Sequence, residues 1–521
     1  MICVTIGRTR HKMMLAEHRN LAERGAELAE IRIDWIARNI DVERLLKDRP
    51  TPTIITCRRP ADGGRFGGSE DQRLQLIRRA IVAGVEYVDL EEDIAGKVPR
   101  YGKTKRIVSY HNFEKTPDDL EEIAEKLGKL DADIIKLATM ANSPSDNVRM
   151  LKLVSEARIP TIGFCMGDYG IVSRVLCGRY GAPFTYATFS KERVMAPGQL
   201  AFDEMKKLYR FDDITPETAV FGVLGDPVAH SWSPLLHNAA FKRMGLNAVY
   251  LPLRVPPDEF VDTLKAYEFL DIRGYSVTIP HKEAALRFAN VVDSASQEIG
   301  AANTLFKDPQ NRWNCANTDY QAALDSIRMG LQQKGIQSLA GQRVLLLGAG
   351  GVARAIALGA VKEGAAVMLT NRSKDRGSKL AEELNCQFVT WANRGSVAAD
   401  VIINCTPIGM YPHMDETPYE QYWFRDGMVV FDTIYNPENT LFLKEARQHE
   451  CVTVSGVEMF TRQAAAQFEL FTGQKTSLDD MRTTLRRGIS PVRIKTETGH
   501  AAPTEATQKP TAPPKNPETP G

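Results

Sequence analysis

The amino-acid sequence predicts an α/β protein in two halves: a (β/α)8 barrel, then a two-domain α/β unit that ends in a doubly wound parallel sheet. Two patterns carry this prediction. From residue 1 to about 210, short apolar runs alternate with polar segments of helical period, as in repeated βα units around a parallel sheet. Beyond residue 340, an apolar run leads directly into a glycine-rich turn and the start of a helix.

Eight apolar runs in the first half are strand candidates, enough to close a TIM-type barrel of about 200 residues. Each run is followed by a segment of helical period. We expect the strands at residues 2–6, 28–33, 53–57, 87–90, 106–110, 133–138, 161–165 and 184–188. A doubly wound sheet built from the same strands is the alternative.

A polar, proline-containing stretch at residues 210–218 separates the two halves. We therefore expect a first domain over residues 1–210. In the second half we expect one domain over 219–325, completed by 456–488, and a nucleotide-binding domain over 326–455.

The bulk composition indicates several globular domains that act on a small molecule. The chain has 521 residues, 43% hydrophobic and 25% charged, which suits roughly three domains. Lys and Arg number 66 against 65 Asp and Glu, so no net field attracts nucleic acid or an anionic membrane. The sequence has no apolar run long enough to span a bilayer and starts with a strand-like segment instead of a leader, so we expect a cytoplasmic protein.

The cysteines and the chain end carry further expectations. The eight cysteines are scattered, with no C-x-x-C pair and no Cys/His cluster at ligand spacing, so we expect reduced thiols and no metal. Residues 495–521 are rich in Pro, Thr and Glu and nearly free of large apolar groups, which predicts a disordered tail. The sequence does not indicate an oligomeric state.

One lysine, Lys136, interrupts the sixth predicted strand, "ADIIKLATM". A strand buried on both faces is usually continuously apolar, and a buried ammonium loses its hydration. Desolvation and neighbouring arginines would favour the neutral amine, which is a nucleophile toward ketones, so the lysine is a candidate for a Schiff base. A snorkelling or ion-paired lysine is the structural alternative, and spacing alone does not decide between them.

Other polar residues follow the neighbouring strands at their carboxyl ends, where barrel active sites lie. His111 is suited to proton transfer near neutral pH, and several arginines beside an acid suit a carboxylated, hydroxylated substrate. The candidate residues besides Lys136 and His111 are Glu30, Arg32, Arg58, Arg174 and Gln199.

Apart from Arg174, these residues lie in motifs that resemble type I 3-dehydroquinate dehydratase, a resemblance that covers residues 1–210. The motifs are "EIRIDW", "TCRRPADGG", "SYHNFEKTP", "ADIIKLA" and "APGQ", in this order. The resemblance implies that Lys136 forms an imine with the C3 ketone of 3-dehydroquinate. It further implies that His111 removes the C2 proton and then protonates the departing C1 hydroxyl. The substrate's carboxylate and hydroxyls would be held by Glu30, Arg32, Arg58, Arg174 and Gln199.

Three positions depart from the pattern of this family. Asp62 stands where a glutamate usually assists the histidine, which makes Asp62 a candidate catalytic residue with a side chain one methylene short. Asn112 follows the histidine where aspartate is common, and Met195 replaces a usual substrate-contacting serine. These departures concern catalytic efficiency and substrate binding rather than the class of reaction.

The second half carries the motif Gly348-x-Gly-Gly-x-Ala353 between an apolar run at residues 343–347 and a helix start. In that context Gly348, Gly350, Gly351 and Ala353 form a turn whose amides and helix dipole can receive a pyrophosphate, as in a Rossmann domain.

The next predicted strand of the second half, at residues 366–370, ends in cations rather than in an acid. NAD-binding domains place an acid here for the ribose hydroxyls, so these residues favour NADP. The candidate contacts are Asn371, Arg372, Ser373 and Arg376, with Lys374 close by. An ordinary solvated loop is the alternative.

The remaining segments of the second half resemble shikimate dehydrogenase across residues 219–485. The motifs are "GDPVAHSWSPLLHNAAF", "YSVTIPHKE", "GAANTL", "NTDYQA", "NCTPIGM", "DTIYNP" and "GVEMFTRQAAAQF". The resemblance implies that Lys282 and Asp319 form the catalytic pair. The implied substrate contacts are Ser231, Ser233, Thr278, Asn303, Tyr435, Gln463 and Gln467, and Met459 would line the nicotinamide pocket.

Simpler structural interpretations stand beside these roles. Ser231 and Ser233 precede Pro234 and can cap a helix, which is the interpretation favoured by the residues alone. Met459 can be an ordinary core residue. Ser276 and His281 depart from the asparagine and phenylalanine that are common in single-domain bacterial members.

The two halves together predict a bifunctional enzyme. The barrel would dehydrate 3-dehydroquinate to 3-dehydroshikimate, and the second half would reduce that product to shikimate with NADPH. One alternative is a class I aldolase fused to a quinate dehydrogenase. Another, from a different class, is a non-catalytic metabolite sensor.

Overall fold

Eight parallel strands form the first sheet, as predicted, with ends that differ from the expected ones by at most two residues. Their order is β7-β6-β5-β4-β3-β2-β1-β8, so the sheet curls round until β1 pairs with β8. The strands are β1 (Ile2–Ile6), β2 (Leu28–Arg32), β3 (Thr53–Thr56), β4 (Tyr87–Glu91), β5 (Lys105–Asn112), β6 (Ile134–Met140), β7 (Thr161–Met166) and β8 (Thr185–Thr188). This near-closed barrel confirms the predicted fold class of the first half.

Helices cover the outside of the barrel. They are α1 (His11–Glu23), α2 (Val42–Leu46), α3 (Glu70–Val82), α4 (Glu92–Ala95), α5 (Leu120–Gly128), α6 (Ser145–Glu156) and α7 (Ile171–Leu176). Helix α3 shows why such segments fold. Ser69 closes a capping box at its start, and Leu74, Ile77 and Ile81 recur at helical spacing and are buried.

The second sheet mixes parallel and antiparallel strands in the order β10-β9-β11-β13-β14-β12. Its strands are β9 (Ala219–Gly225), β10 (Ala248–Arg254), β11 (Ile272–Val277), β12 (Val291–Val292), β13 (Thr304–Lys307) and β14 (Trp313–Ala316). The helices that accompany it are α8 (Ser233–Arg243), α9 (Phe260–Ala266), α10 (Lys282–Phe288) and α11 (Ser294–Ile299). The parallel strands β9 and β11 end beside each other and carry the segments that reach the second site.

The third sheet is parallel, in the order β17-β16-β15-β18-β19-β20, which is the strand order of a Rossmann domain. Its strands are β15 (Arg343–Leu347), β16 (Ala366–Asn371), β17 (Gln387–Thr390), β18 (Val401–Asn404), β19 (Val429–Asp432) and β20 (Val452–Val454). The helices are α12 (Thr318–Gln332), α13 (Gly351–Lys362), α14 (Lys374–Glu383), α15 (Leu441–Gln448), α16 (Gly456–Thr472) and α17 (Leu478–Ile489).

The last two helices return to the second sheet. Phe221 of β9 and Phe241 of α8 share one apolar cluster with Val457 and Phe468 of α16 and Met481 of α17. Burial of these side chains stabilises the packing of α16 and α17 on the second sheet, because apolar area removed from water is the main favourable contribution to packing.

The structure is a computed structural model and describes residues 1–490. The predicted disordered tail at residues 495–521 lies outside the described residues. Within residues 1–490, no helix has both the length and the apolar character needed to cross a membrane.

Candidate active sites

The amine of Lys136 lies inside the barrel in an ion pair. Lys136 is 5% exposed, and its Nζ donates to Oδ2 of Asp89 at 2.8 Å. Oε1 of Glu30 is 3.7 Å from the same nitrogen, and the ring centroid of Tyr186 is 4.2 Å away. The charged groups nearest its nitrogen are two carboxylates rather than the arginines expected from the sequence, and Arg58 lies beyond one of them, on the other oxygen of Asp89.

Asp89 is the central residue that sequence reasoning missed. Besides Lys136, its carboxylate accepts hydrogen bonds from Nη2 of Arg58 at 2.7 Å and from Oγ of Ser109 at 2.6 Å. Burial alone would raise the pKa of Asp89, but the charges of Arg58 and Lys136 hold that pKa well below its ordinary value. Asp89 is therefore a permanent negative charge beside the lysine nitrogen.

His111 lies on the same face of the barrel wall as Ser109, two residues further along β5, and Ser109 is the register partner of Lys136. Nη1 of Arg58 lies 2.6 Å from Nδ1 and 2.7 Å from Nε2 of the imidazole. Burial and the charges of Arg58 and Lys136 lower the pKa of His111 well below its ordinary value. The imidazole is therefore neutral at neutral pH and is able to accept a proton.

Glu30 and Arg32 occupy the positions expected from β2, but both are already bonded to the protein. Oε2 and Oε1 of Glu30 accept from the hydroxyls of Thr5 and Thr56, each at 2.8 Å. Although burial favours its neutral form, the charges of Lys136 and Arg32 lower the pKa of Glu30. The guanidinium of Arg32 forms a two-pronged pair with Asp34, with both hydrogen bonds at 2.8 Å.

Arg174 is a buried cation without an ion-pair partner among residues 1–490. It is 1% exposed, its Nε has no hydrogen-bond partner in the described chain, and burial lowers its pKa to about 10. Its Nη2 donates to the carbonyl of Pro197 at 3.3 Å, and its guanidinium lies 4.4 Å from the ring centroid of Phe164. A buried charge without a protein partner is costly, so this guanidinium is suited to an anionic ligand.

The segment that leads to Gln199 closes on itself at the barrel mouth. Oε1 of Gln199 accepts from the backbone N–H of Met195 at 3.0 Å. Met195 also lines a cavity of about 300 Å³ together with Thr5 and Trp35. The methionine that departs from the family pattern therefore gives this cavity an apolar wall where a serine would offer a hydroxyl.

The other two departures make local contacts. The carboxylate of Asp62 accepts from Nε of Arg59 at 2.7 Å, and a role on His111 stays a prediction. Oδ1 of Asn112 accepts from the backbone N–H groups of Glu114 and Lys115, at 3.0 and 2.9 Å. Asn112 thereby fixes the turn that follows β5.

The second site is built on the ion pair of Lys282 and Asp319. Nζ of Lys282 lies 2.5 Å from Oδ2 of Asp319, and both side chains remain partly exposed. Lys282 is the first residue of α10, and Asp319 lies in the first turn of α12. Two separate helix starts therefore bring together the pair that the sequence motifs imply.

Asn303 and Gln467 join this pair to a buried hydrogen-bond network. Oδ1 of Asn303 accepts from the backbone N–H of Thr318 at 2.8 Å, next to Asp319. Nε2 of Gln467 donates to the carbonyl of Asn303 at 3.2 Å, and Oε1 of Gln467 accepts from Ser276 at 2.6 Å. Ser276 accepts in turn from the hydroxyl of Tyr250 at 2.5 Å. The Gln467 amide is bonded within the protein, and direct contact with substrate stays a prediction.

The serine and threonine candidates lie on segments that follow β9 and β11. The N-cap of α8 is Trp232, which makes no side-chain capping bond, so neither serine occupies the N-cap position. Instead, Oγ of Ser231 accepts from the N–H of Ser233 at 3.3 Å. Thr278 follows β11 and is half-buried, with its N–H bonded to the carbonyl of Leu224 at 2.9 Å.

The candidates from the last part of the chain flank α16. The ring of Tyr435 stacks on that of Phe460 with centroids 4.2 Å apart, and burial raises the pKa of Tyr435. Nε2 of Gln463 donates to the carbonyl of Phe460 at 3.1 Å. Met459 belongs to the apolar core of the third sheet, in agreement with the simpler interpretation; a nicotinamide contact stays a prediction.

The glycine motif has the shape required by a dinucleotide. Gly348 has a φ of +117°, and a Cβ there would lie 3.0 Å from the carbonyl oxygen of Cys405, so only glycine fits. A Cβ at Gly350 or Gly351 would meet nothing within 4 Å, which leaves open space in front of the start of α13. Ala353 is buried against the sheet, which lets helix and strand pack closely.

The cations after β16 are free for a ligand. Arg372, Lys374 and Arg376 are exposed, and the described part of the chain supplies none of them with an ion-pair partner. Nδ2 of Asn371 donates to the carbonyl of Ser373 at 2.9 Å, which shapes the turn that presents these cations. The glycine motif and the cations together fit a dinucleotide that carries an additional phosphate.

Comparisons with known proteins agree with this geometry. Residues 2–216 match the family model of type I 3-dehydroquinase, and residues 223–305 match the shikimate dehydrogenase substrate binding domain. Residues 343–423 match the model described as NADP oxidoreductase coenzyme F420-dependent, and residues 456–486 match the shikimate 5'-dehydrogenase C-terminal domain.

Similar proteins cover one or both halves of the chain. The chloroplastic bifunctional 3-dehydroquinate dehydratase/shikimate dehydrogenase of Arabidopsis thaliana is 38% identical over 498 residues, which is 91% of this chain and 82% of that protein. The NADP(+) shikimate dehydrogenase of Methanothermobacter thermautotrophicus is 36% identical over 288 residues, 53% of this chain and 99% of that protein. The solved structure of dehydroquinate dehydratase and shikimate dehydrogenase from S. pombe AroM is 24% identical and covers 93% of this chain and 98% of its own, with a TM-score of 0.43.

The fold and the two sites define a class of protein in which a lyase barrel with an internal lysine is joined to a nucleotide-dependent oxidoreductase. The chain belongs to the family of bifunctional 3-dehydroquinate dehydratase/shikimate dehydrogenases. The predicted bifunctional enzyme is thereby confirmed at the level of the family. Because the Arabidopsis relative is chloroplastic, the cytoplasmic location of this chain stays a prediction.

Proposed function

We propose that the chain converts 3-dehydroquinate to 3-dehydroshikimate in the barrel and then reduces this product to shikimate in the second half. One observation carries the proposal: a buried lysine on the barrel wall, with a fixed carboxylate as its counter-charge, shares a site with a neutral histidine. We assign residues 1–210 to the first reaction and residues 219–488 to the second, with the nucleotide held by residues 326–455.

In the barrel, Lys136 forms the covalent intermediate. Its ammonium gives a proton to the neutral His111, and the free amine then attacks the C3 carbonyl of 3-dehydroquinate. Loss of water from this adduct leaves a protonated imine, which puts a positive charge on the same nitrogen. Asp89 is 2.8 Å from that nitrogen in the resting protein and remains ionised, so it balances the charge in both states.

His111 carries the proton between substrate atoms. During imine formation His111 passes the proton that it took from Lys136 to the departing water, which leaves the imidazole neutral again. The neutral imidazole then removes the C2 proton. The imine accepts the electron pair of the broken C–H bond and becomes an enamine. His111 then protonates the C1 hydroxyl, which leaves as water. Hydrolysis of the imine returns the amine of Lys136 and releases 3-dehydroshikimate.

Arg174 is our candidate for binding the substrate carboxylate. Among residues 1–490 its buried guanidinium has no acidic partner, whereas Arg32 is paired with Asp34 and Arg58 with Asp89. A carboxylate can accept two parallel hydrogen bonds from a guanidinium. Such a pair fixes the orientation of the substrate ring and neutralises the charge of its carboxylate.

The protonation of His111 can be measured directly. Because burial and two nearby cations lower its pKa well below the ordinary value, we expect its imidazole to stay neutral when the pH falls through the range in which the unfolded chain titrates, about 6.5. Histidine-selective NMR over pH 8 to 5, with the signal assigned through a His111→Ala variant, provides the measurement. A midpoint at or above that of the urea-unfolded protein would contradict the assignment of His111 as a neutral base.

In the second half, Lys282 and Asp319 handle the proton of the reduction. When bound, NADPH supplies a hydride to the substrate's carbonyl carbon. Lys282 hydrogen-bonds the carbonyl oxygen and gives it a proton, while Asp319 holds the ammonium in place through the 2.5 Å contact. The hydroxyls of Ser231, Ser233 and Thr278 are candidates for binding the hydroxyls and the carboxylate of the substrate ring.

The cofactor is NADP. Its pyrophosphate would lie in the space in front of Gly350 and Gly351, where the first amides of α13 point outward. Arg372 and Arg376 would bind the additional phosphate, with Asn371 and Ser373 shaping the turn. Small molecules are thus the partners of both sites.

A single sequential assay tests the proposal. Purified protein mixed with 3-dehydroquinate should produce a rise in enone absorbance, and later addition of NADPH should consume that absorbance and yield shikimate. NADH in place of NADPH serves as the matched control and should support the second step far less. Binding of both ligands without any absorbance change would instead favour the metabolite sensor.

A further inference from the structure

One guanidinium joins the two halves of the chain at the carboxyl ends of their strands. Arg254 is the last residue of β10. Its Nε donates to Oδ1 of Asp226 at 2.9 Å, and its Nη1 donates to Oδ2 of Asp168 at 3.2 Å. Its guanidinium also lies 5.1 Å from the ring centroid of Tyr169. Asp226 belongs to the second half, whereas Asp168 and Tyr169 belong to the barrel.

On the barrel side, Arg254 holds the turn that leads to Arg174. Asp168 and Tyr169 lie between β7 and α7, and the carbonyl of Gly170 accepts from the N–H of Arg174 at 3.2 Å. The same turn supports the segment that ends in Gln199, because the N–H of Gly167 donates to the carbonyl of Pro197 at 3.2 Å. Displacement of this turn would move the guanidinium that we assign to the substrate carboxylate.

In the second half, Arg254 binds Asp226, which lies where the segments after β9 and β11 meet; these segments carry the candidate substrate contacts Ser231 and Thr278. Asp226 follows β9 directly and precedes Ser231. Its backbone N–H donates to the carbonyl of Ile279 at 3.0 Å, and Ile279 is the neighbour of Thr278. Asp226 therefore links the segment after β9 to the segment after β11.

We propose that Arg254 is a positioning residue shared by the two active sites, an inference that rests on the proposed function. Arg254 touches neither reacting centre. It keeps the Arg174 turn of the barrel and the Asp226 segment of the reductase in a fixed mutual arrangement, and its planar fork allows separate nitrogens to bind two carboxylates at once. Loss of Arg254 weakens substrate binding at both sites and leaves the chemical groups in place.

The test is a pair of KM measurements on Arg254→Ala. We expect the KM for 3-dehydroquinate and the KM for 3-dehydroshikimate each to rise about threefold or more, while both kcat values stay within about twofold of the parent protein. Asp168→Asn should raise only the first KM, and Asp226→Asn only the second, because each removes one arm of the contact. Arg254→Lys should resemble Arg254→Ala, because one ammonium does not reproduce the fork.

Arg179→Ala is the matched control. Arg179 also crosses between the halves, with Nη1 donating to the carbonyl of Leu270 at 2.6 Å and Nε to that of Pro216 at 3.1 Å, but these acceptors precede β11 and β9 at the amino ends of the strands. Its removal should leave both KM values unchanged.

Three outcomes overturn the inference: unchanged KM values in Arg254→Ala, a change at one site only, or an equal change in Arg179→Ala. In each of these cases the parent protein still catalyses both reactions. Absence of a reaction in the parent protein would instead overturn the proposed function.

Discussion

Lys136→Ala is expected to abolish dehydration of 3-dehydroquinate while reduction of 3-dehydroshikimate continues. The amine is the nucleophile, so we expect kcat/KM of the first reaction to fall by at least about 10⁴-fold. The second reaction should stay within about twofold, because Lys282 and Asp319 lie in a different part of the chain. Separate steady-state assays of the two half reactions give both values.

Lys136→Arg is the control that separates chemistry from charge. Removal of the lysine leaves Asp89 and Glu30 without their shared cation, and an unpaired buried charge destabilises a fold. Arginine keeps a cation there but does not form an imine. We therefore expect Lys136→Arg to be as inactive as Lys136→Ala, and dehydration by the arginine variant would refute covalent catalysis.

Lys282→Met is expected to have the opposite pattern, with loss of the reduction and retention of the dehydration. Removal of a proton donor costs about 10² to 10⁴ in rate, so we expect kcat/KM with NADPH and 3-dehydroshikimate to fall by about 10³-fold. The measurement is NADPH oxidation at saturating cofactor.

Asp319→Asn provides the comparison for Lys282→Met. It keeps a hydrogen-bond acceptor beside Lys282 but removes the carboxylate charge, so we expect a smaller loss than in Lys282→Met. A Lys282→Met protein that reduces 3-dehydroshikimate within tenfold of the parent rate would show that the proton comes from another group.

The barrel was predictable from the sequence because each strand is an apolar run followed by a helix of clear period. The candidate site was also partly predictable, since Lys136 interrupts such a run and His111 directly follows one. Asp89 gave the same indication within "YVDLE" and was missed. Which charges meet depends on strand register and side-chain direction, so sequence alone did not indicate that Lys136 faces Asp89 and Glu30 rather than arginines.

In the second half, the sequence indicated the residue types but not their contacts. Lys282 and Asp319 are separated by three strands, β12 to β14, so their contact depends on how these strands pair in the second sheet. Spacing to Pro234 favoured a serine cap for α8, but the helix begins at Ser233, one residue earlier than a Ser233 cap followed by Pro234 requires, and Trp232 is the N-cap. The amide of Gln467 is bonded within the protein, which motif matching does not reveal.

The most direct test of the central claim is reductive trapping on the barrel lysine. Borohydride added together with 3-dehydroquinate should reduce the imine to a stable secondary amine, and mass spectrometry of the digested protein should locate the added mass on Lys136. Borohydride alone serves as the control and should leave the peptide unmodified. An active protein that shows no adduct, or carries one on another lysine, would contradict the account.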